Sequence, residues 1–457
     1  MKTFLTTYRM PLLLGLLCVV FYYTFAYHLE RSDFIRLLTL YGGLFYLTYQ
    51  LIKIYGTSFW LLALLGIVAR VIFFPALPNL SQDFYRFIWD GRLVWEGVSP
   101  YLFSVDTIME LDVTTVSQAA ELRQGMGDLN ASHFSNYPPV NQLFFTLAAA
   151  LSGKSMLGAA MVMRGCIIAA DVGILYFGRK LLTQLHLPQK TIFWYFLNPF
   201  IIIELTGNLH FEGVMLFFVV VGLYCLFHKR WVLAALCWGL SISTKLLPLL
   251  LLPLFFQYFL KPQKALGFWK LIGFYAICLG TVLLTFLPFL NQTFIENFAA
   301  TIGLWFQKFE FNASIYYIIR WIGYQVVGWN IIQSVGKILP LVVIALLLVL
   351  TFFRRNTTIP QLLTAMTIGL FCYFLLSTTV HPWYVATPLL LCLFTRYRFP
   401  VLWSGTVMLS YAAYGEAGFD ENLWLVALEY LIVIGFFLYE VFSSEKNTSS
   451  RNPLGRS

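Results

Sequence analysis

Apolar residues along this chain run in blocks, and many blocks approach the roughly 20 residues needed to cross hydrocarbon. Met10–His28, Ser58–Leu77, Lys270–Leu290, Leu339–Phe353 and Leu423–Val441 are the plainest. A backbone inside lipid must pair its own polar groups, so these blocks predict helices. The two-residue alternation of a membrane barrel is absent. Spans are predicted near 10–28, 36–52, 58–77, 156–178, 191–206, 211–228, 231–244, 247–260, 270–290, 333–353, 361–379, 383–396, 399–414 and 422–442, about fourteen in all. Between them lie two large polar regions, 78–154 and 291–332, and a polar tail, 443–457, that is expected to be disordered. The chain divides as two N-terminal helices (1–57), a main transmembrane unit (58–442) and a cytoplasmic tail (443–457). The fold class is all-α and polytopic.

Composition agrees: 59% of residues are hydrophobic and 11% charged, against about 25% charged in soluble domains. The net charge of +9 is explained by where the bases lie. With the N-terminus in the cytoplasm, eighteen of the 30 lysines and arginines fall in segments on that side, while 78–154 holds eight acids and four bases. This is the positive-inside pattern, and it places 78–154 and 291–332 outside. No basic run with interleaved aromatics points to nucleic acid. The same rule reads Pro138–Ser152 as an interfacial helix on the outer side. It reads Trp231–Leu260 as a short hairpin bent at Lys245–Pro248, since otherwise Lys261 and Lys264 would lie outside.

The seven cysteines all fall inside apolar blocks, without a CxxC, so they read as packing residues. The N-terminal apolar run has no small-residue cleavage site after it and reads as a retained span. Asn291-Gln-Thr and Asn312-Ala-Ser match the glycosylation pattern.

Candidate chemistry gathers in the outer segments. Asp83, Arg86 and Asp90 have helical spacing and share one face. Such a carboxylate can take a proton and such an arginine can bind phosphate; a helix cap with a surface ion pair would use the same residues. Glu204 lies within an apolar run, where an ionisable group faces a cavity or a partner. Asn208, His210 and Glu212 alternate along a tight turn and are expected to point the same way, toward a metal or within a hydrogen-bonded turn. Lys245 either neutralises a phosphate or snorkels to the interface. Lys308, Glu310, Asn312 and Arg320 lie among aromatics, and His381-Pro-Trp-Tyr384 opens another outer turn. Arg164 and Asp171 stand two helical turns apart and are expected to face one cavity, with Arg70 also within or near a span.

These residues resemble a known family. Asp83-x-Tyr85-Arg86-x-x-Trp89-Asp90-Gly91 followed by Gly97-x-x-Pro100-Tyr101 looks like the first outer loop of GT-C glycosyltransferases. The likeness is strongest to polyprenol-phosphate-mannose-dependent mannosyltransferases and those of the glycosylphosphatidylinositol type. Tyr137-Pro138-Pro139, Asn198-Pro199, Glu204, Asn208-x-His210-x-Glu212, Lys245-x-x-Pro248 and His381-Pro-Trp-Tyr384 follow in the family's order, across roughly residues 58–400. The resemblance implies a GT-C-like fold and transfer of a hexose, mannose by analogy, with inversion. The donor would be a polyprenyl-phosphate sugar in the membrane lipid, and the acceptor a glycan or lipid at the outer face of a bacterial cytoplasmic membrane. It implies Asp83 as catalytic base. Substrate binding falls to Arg86, Asp90, Tyr137, Glu204, Asn208, His210, Glu212, Lys245, Arg320 and His381, with Arg86, Lys245 and Arg320 as the phosphate candidates. Gln82 stands where many members carry a second acid, and Glu212 where the turn often has Asp; no metal ligand is assigned, and a divalent metal stays open. The competing classes are a transporter or flippase of lipid-linked sugars, and a glycan polymerase or ligase.

Overall fold

The apolar blocks fold almost entirely as helix in the computed structural model, which describes residues 2–111, 116–261, 266–416 and 418–449. α1 (Lys2–His28) packs on α2 (Phe34–Tyr55) and on α3 (Phe59–Phe73). Asp33 caps α2 by accepting from the Arg36 amide at 3.1 Å. The first large polar region is itself helical: α4 (Asp83–Trp95), α5 (Val105–Glu110), α6 (Ala119–Ser132) and α7 (Pro139–Ser152) precede the long α8 (Met156–Gln184). α7 is the helix expected at 138–152. Its fourteen residues rise only about 21 Å. Phe145, Ala148 and Ala149 are buried, while Leu143 and Leu151 stay exposed on the other side. α4 and α7 touch through backbone, because a Cβ at Gly91 would stand 2.2 Å from the Phe145 carbonyl oxygen.

The next stretch is broken. α9 (Phe193–Phe196) gives way to a π-helical turn, Ile201–Gly207, and α10 (Glu212–Phe227) leaves it at 110°. Arg164 pins this bend: its guanidinium donates to the carbonyls of Thr206, Gly207, Phe74 and Ala76 at 2.7–2.9 Å. Asp171 instead pairs with Arg70 at 2.8 Å in the core. The expectation that Arg164 and Asp171 face one cavity is therefore corrected: each is consumed by a partner distant in sequence.

α11 (Trp231–Thr244) ends at Lys245, whose backbone is extended, and a 3-10 segment, Leu247–Leu254, leads into α12 (Phe255–Leu260). The chain folds back here, because Trp238 donates to the Pro248 carbonyl at 3.1 Å and its ring lies 4.8 Å from that of Phe255. The predicted hairpin and its bend at Lys245–Pro248 are thus present. α13 (Phe268–Phe286) precedes the second polar region, which folds as α14 (Gln292–Gln307) and α15 (Ile315–Val327). Then come α16 (Ile332–Phe352), α17 (Ile359–Leu376), a 3-10 turn into α18 (Ala386–Cys392), α19 (Phe399–Thr406), a two-residue strand pair, β1 (Tyr414–Gly415) and β2 (Gly418–Phe419), and α20 (Leu423–Ser449). α20 runs past residue 443, where the disordered tail is predicted to begin; 450–457 and Lys264 lie outside the described residues.

Among the described residues, six helices are long and apolar enough to cross a membrane, seven if the bent pair Ile201–Gly207 and Glu212–Phe227 is one span. The predicted count of fourteen is not confirmed by these helices. Phe59–Phe73, Trp231–Thr244, Leu247–Leu260 and Pro382–Cys392 are apolar but only 10–17 residues long. Prolines at 199, 248 and 253 interrupt runs that hydropathy alone reads as continuous. Exposed apolar faces remain on α13, α16 and α20, for example Leu284 at 68%, Leu341 at 64% and Leu431 at 71%. Such faces need lipid, and the chain is an all-α polytopic integral membrane protein. One core cluster extends from Cys18 in α1 to Val433 in α20. All seven cysteines are free thiols. Asn312 is fully buried and its side chain donates to Glu429, so this glycosylation match is shielded in the folded chain.

Candidate active site

Helix breaks converge at one end of the bundle. The α1–α2 turn, the start of α4, the break at Lys245, the segment before Pro382 and the strand pair surround a cavity of about 440 Å³. A second cavity of about 400 Å³ adjoins it, and the two share Asn136, Tyr137, Lys245, Trp305 and Tyr384. The first carries Arg31, Asp83, Asp128, Asn130, Glu310 and His381 in its wall. The second is walled largely by Met215, Leu246, Leu247, Leu249, Leu250, Ile302, Phe306 and Phe374. Polar and apolar spaces thus meet at Lys245.

Asp83 opens α4, and Asn130 donates to its Oδ1 at 3.4 Å. Asn130 is delivered by α6, which kinks at Gly127 (φ +73) so that 126–130 line the cavity. Burial pushes the Asp83 carboxyl above its ordinary pKa; Lys245, the Asn130 hydrogen bond and Arg31 pull the other way without cancelling it. Asn208 reaches the same strand of chain by accepting from the Leu80 amide at 3.1 Å, which fixes the approach to Ser81–Asp83.

Arg86 and Asp90 do share a face, as the spacing predicts, and use it on each other at 2.7 Å. Arg86 also donates to the carbonyls of Asn130 and His133, and Asp90 accepts from Ser135 and Gln142. Both are buried and neither lines either cavity. They bind the 130–142 segment to α4 as a buried ion pair, which differs from the cap and surface ion pair of the alternative reading, since the N-terminus of α4 has no side-chain cap hydrogen bond.

The Asn208, His210 and Glu212 side chains do not point the same way, which corrects the alternation argument. Leu209 takes a left-handed backbone (φ +64) and turns the chain between them. Asn208 faces Leu80; His210 stacks on Trp383 with centroids 3.7 Å apart; Glu212 pairs with Lys245 at 3.1 Å. Trp383 stacks in turn on His381 at 4.5 Å. His381 lines the polar cavity, and burial, Lys245 and Arg31 lower its pKa to about 3, so it is neutral there. Glu204 lies behind the site, accepting from Tyr411 at 2.7 Å. Arg320 is held by Glu310, whose side chain is the one in the cavity wall. Among the described residues no group of three or more His, Cys, Asp or Glu is placed to hold a metal.

Of the residues singled out from sequence, Asp83, Tyr137, Lys245 and His381 line the polar cavity and Glu212 the apolar one. Asn208, His210 and Glu204 stand behind it, and Arg86, Asp90 and Arg320 are engaged with protein partners. Arg31, Asn130, Trp305 and Tyr414 escape the sequence reading. For Arg31 a signal existed: it is a base in a turn that the charge pattern assigns to the face poor in bases.

The profile of a family described as alpha-(1->6)-mannopyranosyltransferase, N-terminal domain, matches residues 54–260. Alpha-(1->6)-mannopyranosyltransferase A of Mycobacterium tuberculosis (strain ATCC 25618 / H37Rv) is 21% identical over 332 residues, 69% of this chain and 61% of that relative. The chain thus covers less than two thirds of the curated relative's length. The resemblance to mannosyltransferases stated from the motifs is borne out by both likenesses. The matched profile takes in Asp83, Tyr137, Glu204, Asn208, His210, Glu212 and Lys245, and leaves Arg31, Arg320 and His381 outside.

Proposed function

We propose that this protein is a membrane mannosyltransferase that moves a mannosyl group from a polyprenyl-phosphate donor to a glycan or lipid acceptor, at the outer face of a bacterial cytoplasmic membrane. The observation that carries this reading is the pair of adjoining cavities. A polyprenyl-phosphate sugar is apolar, then anionic, then polar along its length. The cavities offer leucine walls, then Lys245, then a polar chamber lined by Asp83 and by the aromatic Trp305, a residue type that suits sugar rings.

In the reaction, the acceptor hydroxyl oxygen forms a bond to the anomeric carbon while the bond from that carbon to the phosphate oxygen breaks. The phosphate departs with the bonding electrons on its lipid. The acceptor proton passes to Asp83, whose raised pKa makes it a stronger base than an ordinary carboxylate. Lys245 supplies positive charge where the departing phosphate gains negative charge, and Glu212 holds its ammonium in place. Displacement in one step inverts the anomeric centre. The relative's name carries an α-(1→6) linkage; an α product formed by inversion requires a β-linked donor.

The 110° bend between Ile201–Gly207 and Glu212–Phe227 also suits a carrier of lipid-linked sugars. Transport makes no glycosidic bond, so one assay separates the two. Purified protein in detergent is given a panel of polyprenyl-phosphate sugars with mannoside acceptors. New mannoside with release of polyprenyl phosphate is the expected result. No turnover of any donor, together with movement of the donor across vesicles, would replace the transferase by the carrier.

A further inference from the structure

A charge enclosed in a protein cavity is ordinarily met by an opposite charge, because desolvating it alone is costly. Two charged groups in the wall of the polar cavity follow this rule, Lys245 paired with Glu212 at 3.1 Å and Glu310 paired with Arg320, while Asp128, paired with Arg123 at 2.8 Å, is exposed. Two charged wall residues have no ion pair among the described residues, Asp83 and Arg31. Asp83 is the proton acceptor of the proposed transfer. Arg31 lies outside the matched profile, in the turn between α1 and α2.

That turn is firmly built. Asn79 donates to the carbonyls of Phe25 and Leu29 at 2.8 and 3.1 Å, tying the turn to the segment that leads into Asp83. The Arg31 guanidinium carbon lies 3.3 Å from the centre of the Tyr414 ring, and its Nε is shielded from solvent without a hydrogen-bond partner. Stacking orients the guanidinium plane, and among the described residues its donors have no hydrogen-bond partner, the state in which arginine grips an oxyanion in a fork.

We propose that Arg31 is a second substrate-binding cation of this site and holds phosphate oxygens of the donor together with Lys245. The assignment rests on the lipid-phosphate donor reading. The two cations are not equivalent. Lys245 is already part-neutralised by Glu212, whereas the guanidinium charge is free for the phosphate as its negative charge grows. Both cations pull on Asp83 and on His381, in keeping with one shared electrostatic neighbourhood.

The test measures binding of a short polyprenyl phosphate and of the matching uncharged polyprenol to the full chain in detergent. Wild type should prefer the phosphate. Arg31→Gln and Arg31→Ala should lose about 10- to 100-fold of that preference, the worth of one charge-assisted contact, with polyprenol binding unchanged. Arg31→Lys should recover part of it. Equal weakening of both ligands would make Arg31 a prop for Tyr414 and overturn the assignment. Full phosphate preference in Arg31→Gln would overturn it while leaving the donor reading standing. Absence of any preference in wild type would overturn the donor reading and this assignment with it.

Discussion

At the scale of residues, the structure separates two carboxylates that a single helix face offers as equals. Asp90 spends its oxygens on Arg86, Ser135 and Gln142, while Asp83 meets the cavity with one side-chain donor, Asn130. Asp83→Asn keeps the shape and removes the proposed proton acceptor. Turnover at saturating donor and acceptor should fall by about 10²–10⁴ with donor affinity retained; normal turnover would remove Asp83 from the chemistry. The pH profile gives a second check. Asp83 must be ionised to accept a proton, and burial raises its pKa, so the acid limb of kcat/KM, which reports the free enzyme, should lie above the ordinary carboxylate value of about 3.9. Lys245 is the strongest influence holding that pKa down. Lys245→Gln should therefore push the limb to higher pH, beyond any loss in donor affinity; a limb that stays put or moves down contradicts the assignment.

At the scale of elements, α4 and α7 together set the site, since Asp83 begins one and Tyr137 lies two residues before the other. Their contact is backbone against backbone at Gly91, with the Phe145 carbonyl where a Cβ would need to be. Neither helix can yield by a side-chain rotation. Gly91→Ala should cost about 1–3 kcal/mol of stability and lower turnover by displacing Asp83 from Tyr137. Gly42→Ala in α2, where nothing lies within 4 Å of the added carbon, is the matched control and should do neither. Thermal unfolding in detergent alongside turnover measures both; equal melting of the two variants would show that α4 and α7 can separate at no cost.

At the scale of the whole molecule, the breaks that build the cavity share one end, and Lys53, Arg179 and Lys190 lie toward the other. Gly56 packs on Lys190 and the Arg179 guanidinium covers Phe59, which joins the end of α2, the start of α3 and the end of α8. On the proposed orientation, drawn from the positive-inside pattern, that basic end is cytoplasmic and the cavity faces outside, where a lipid-linked donor would meet it. In a chain freed of its seven cysteines, a single cysteine at position 110 should react with an impermeant reagent in intact cells. One at position 184 should react only after permeabilisation. The reverse pattern would invert the molecule in the membrane and move the proposed transfer to the cytoplasmic face.

The residue string alone determined the membrane class, the helical character and the hairpin at Lys245. These depend on local hydropathy and on the sidedness of charge, both of which are properties of neighbouring residues summed along the chain. Span count was not legible in the same way. Hydropathy cannot tell a full helix from an apolar 3-10 or π-helical segment, and the region from Phe193 to Leu260 contains both. Only the tertiary structure decided which charges meet. Arg70 finds Asp171 across 101 positions, Arg164 reaches carbonyls at 74, 76, 206 and 207, and Lys245 finds Glu212 across a helical hairpin. The same is true of Arg31, which enters the cavity from a turn far before Asp83 in the chain and leans on Tyr414. A charge shows its type in the sequence, but whether it is spent on a partner or left free for a ligand depends on which distant segments the fold brings against it.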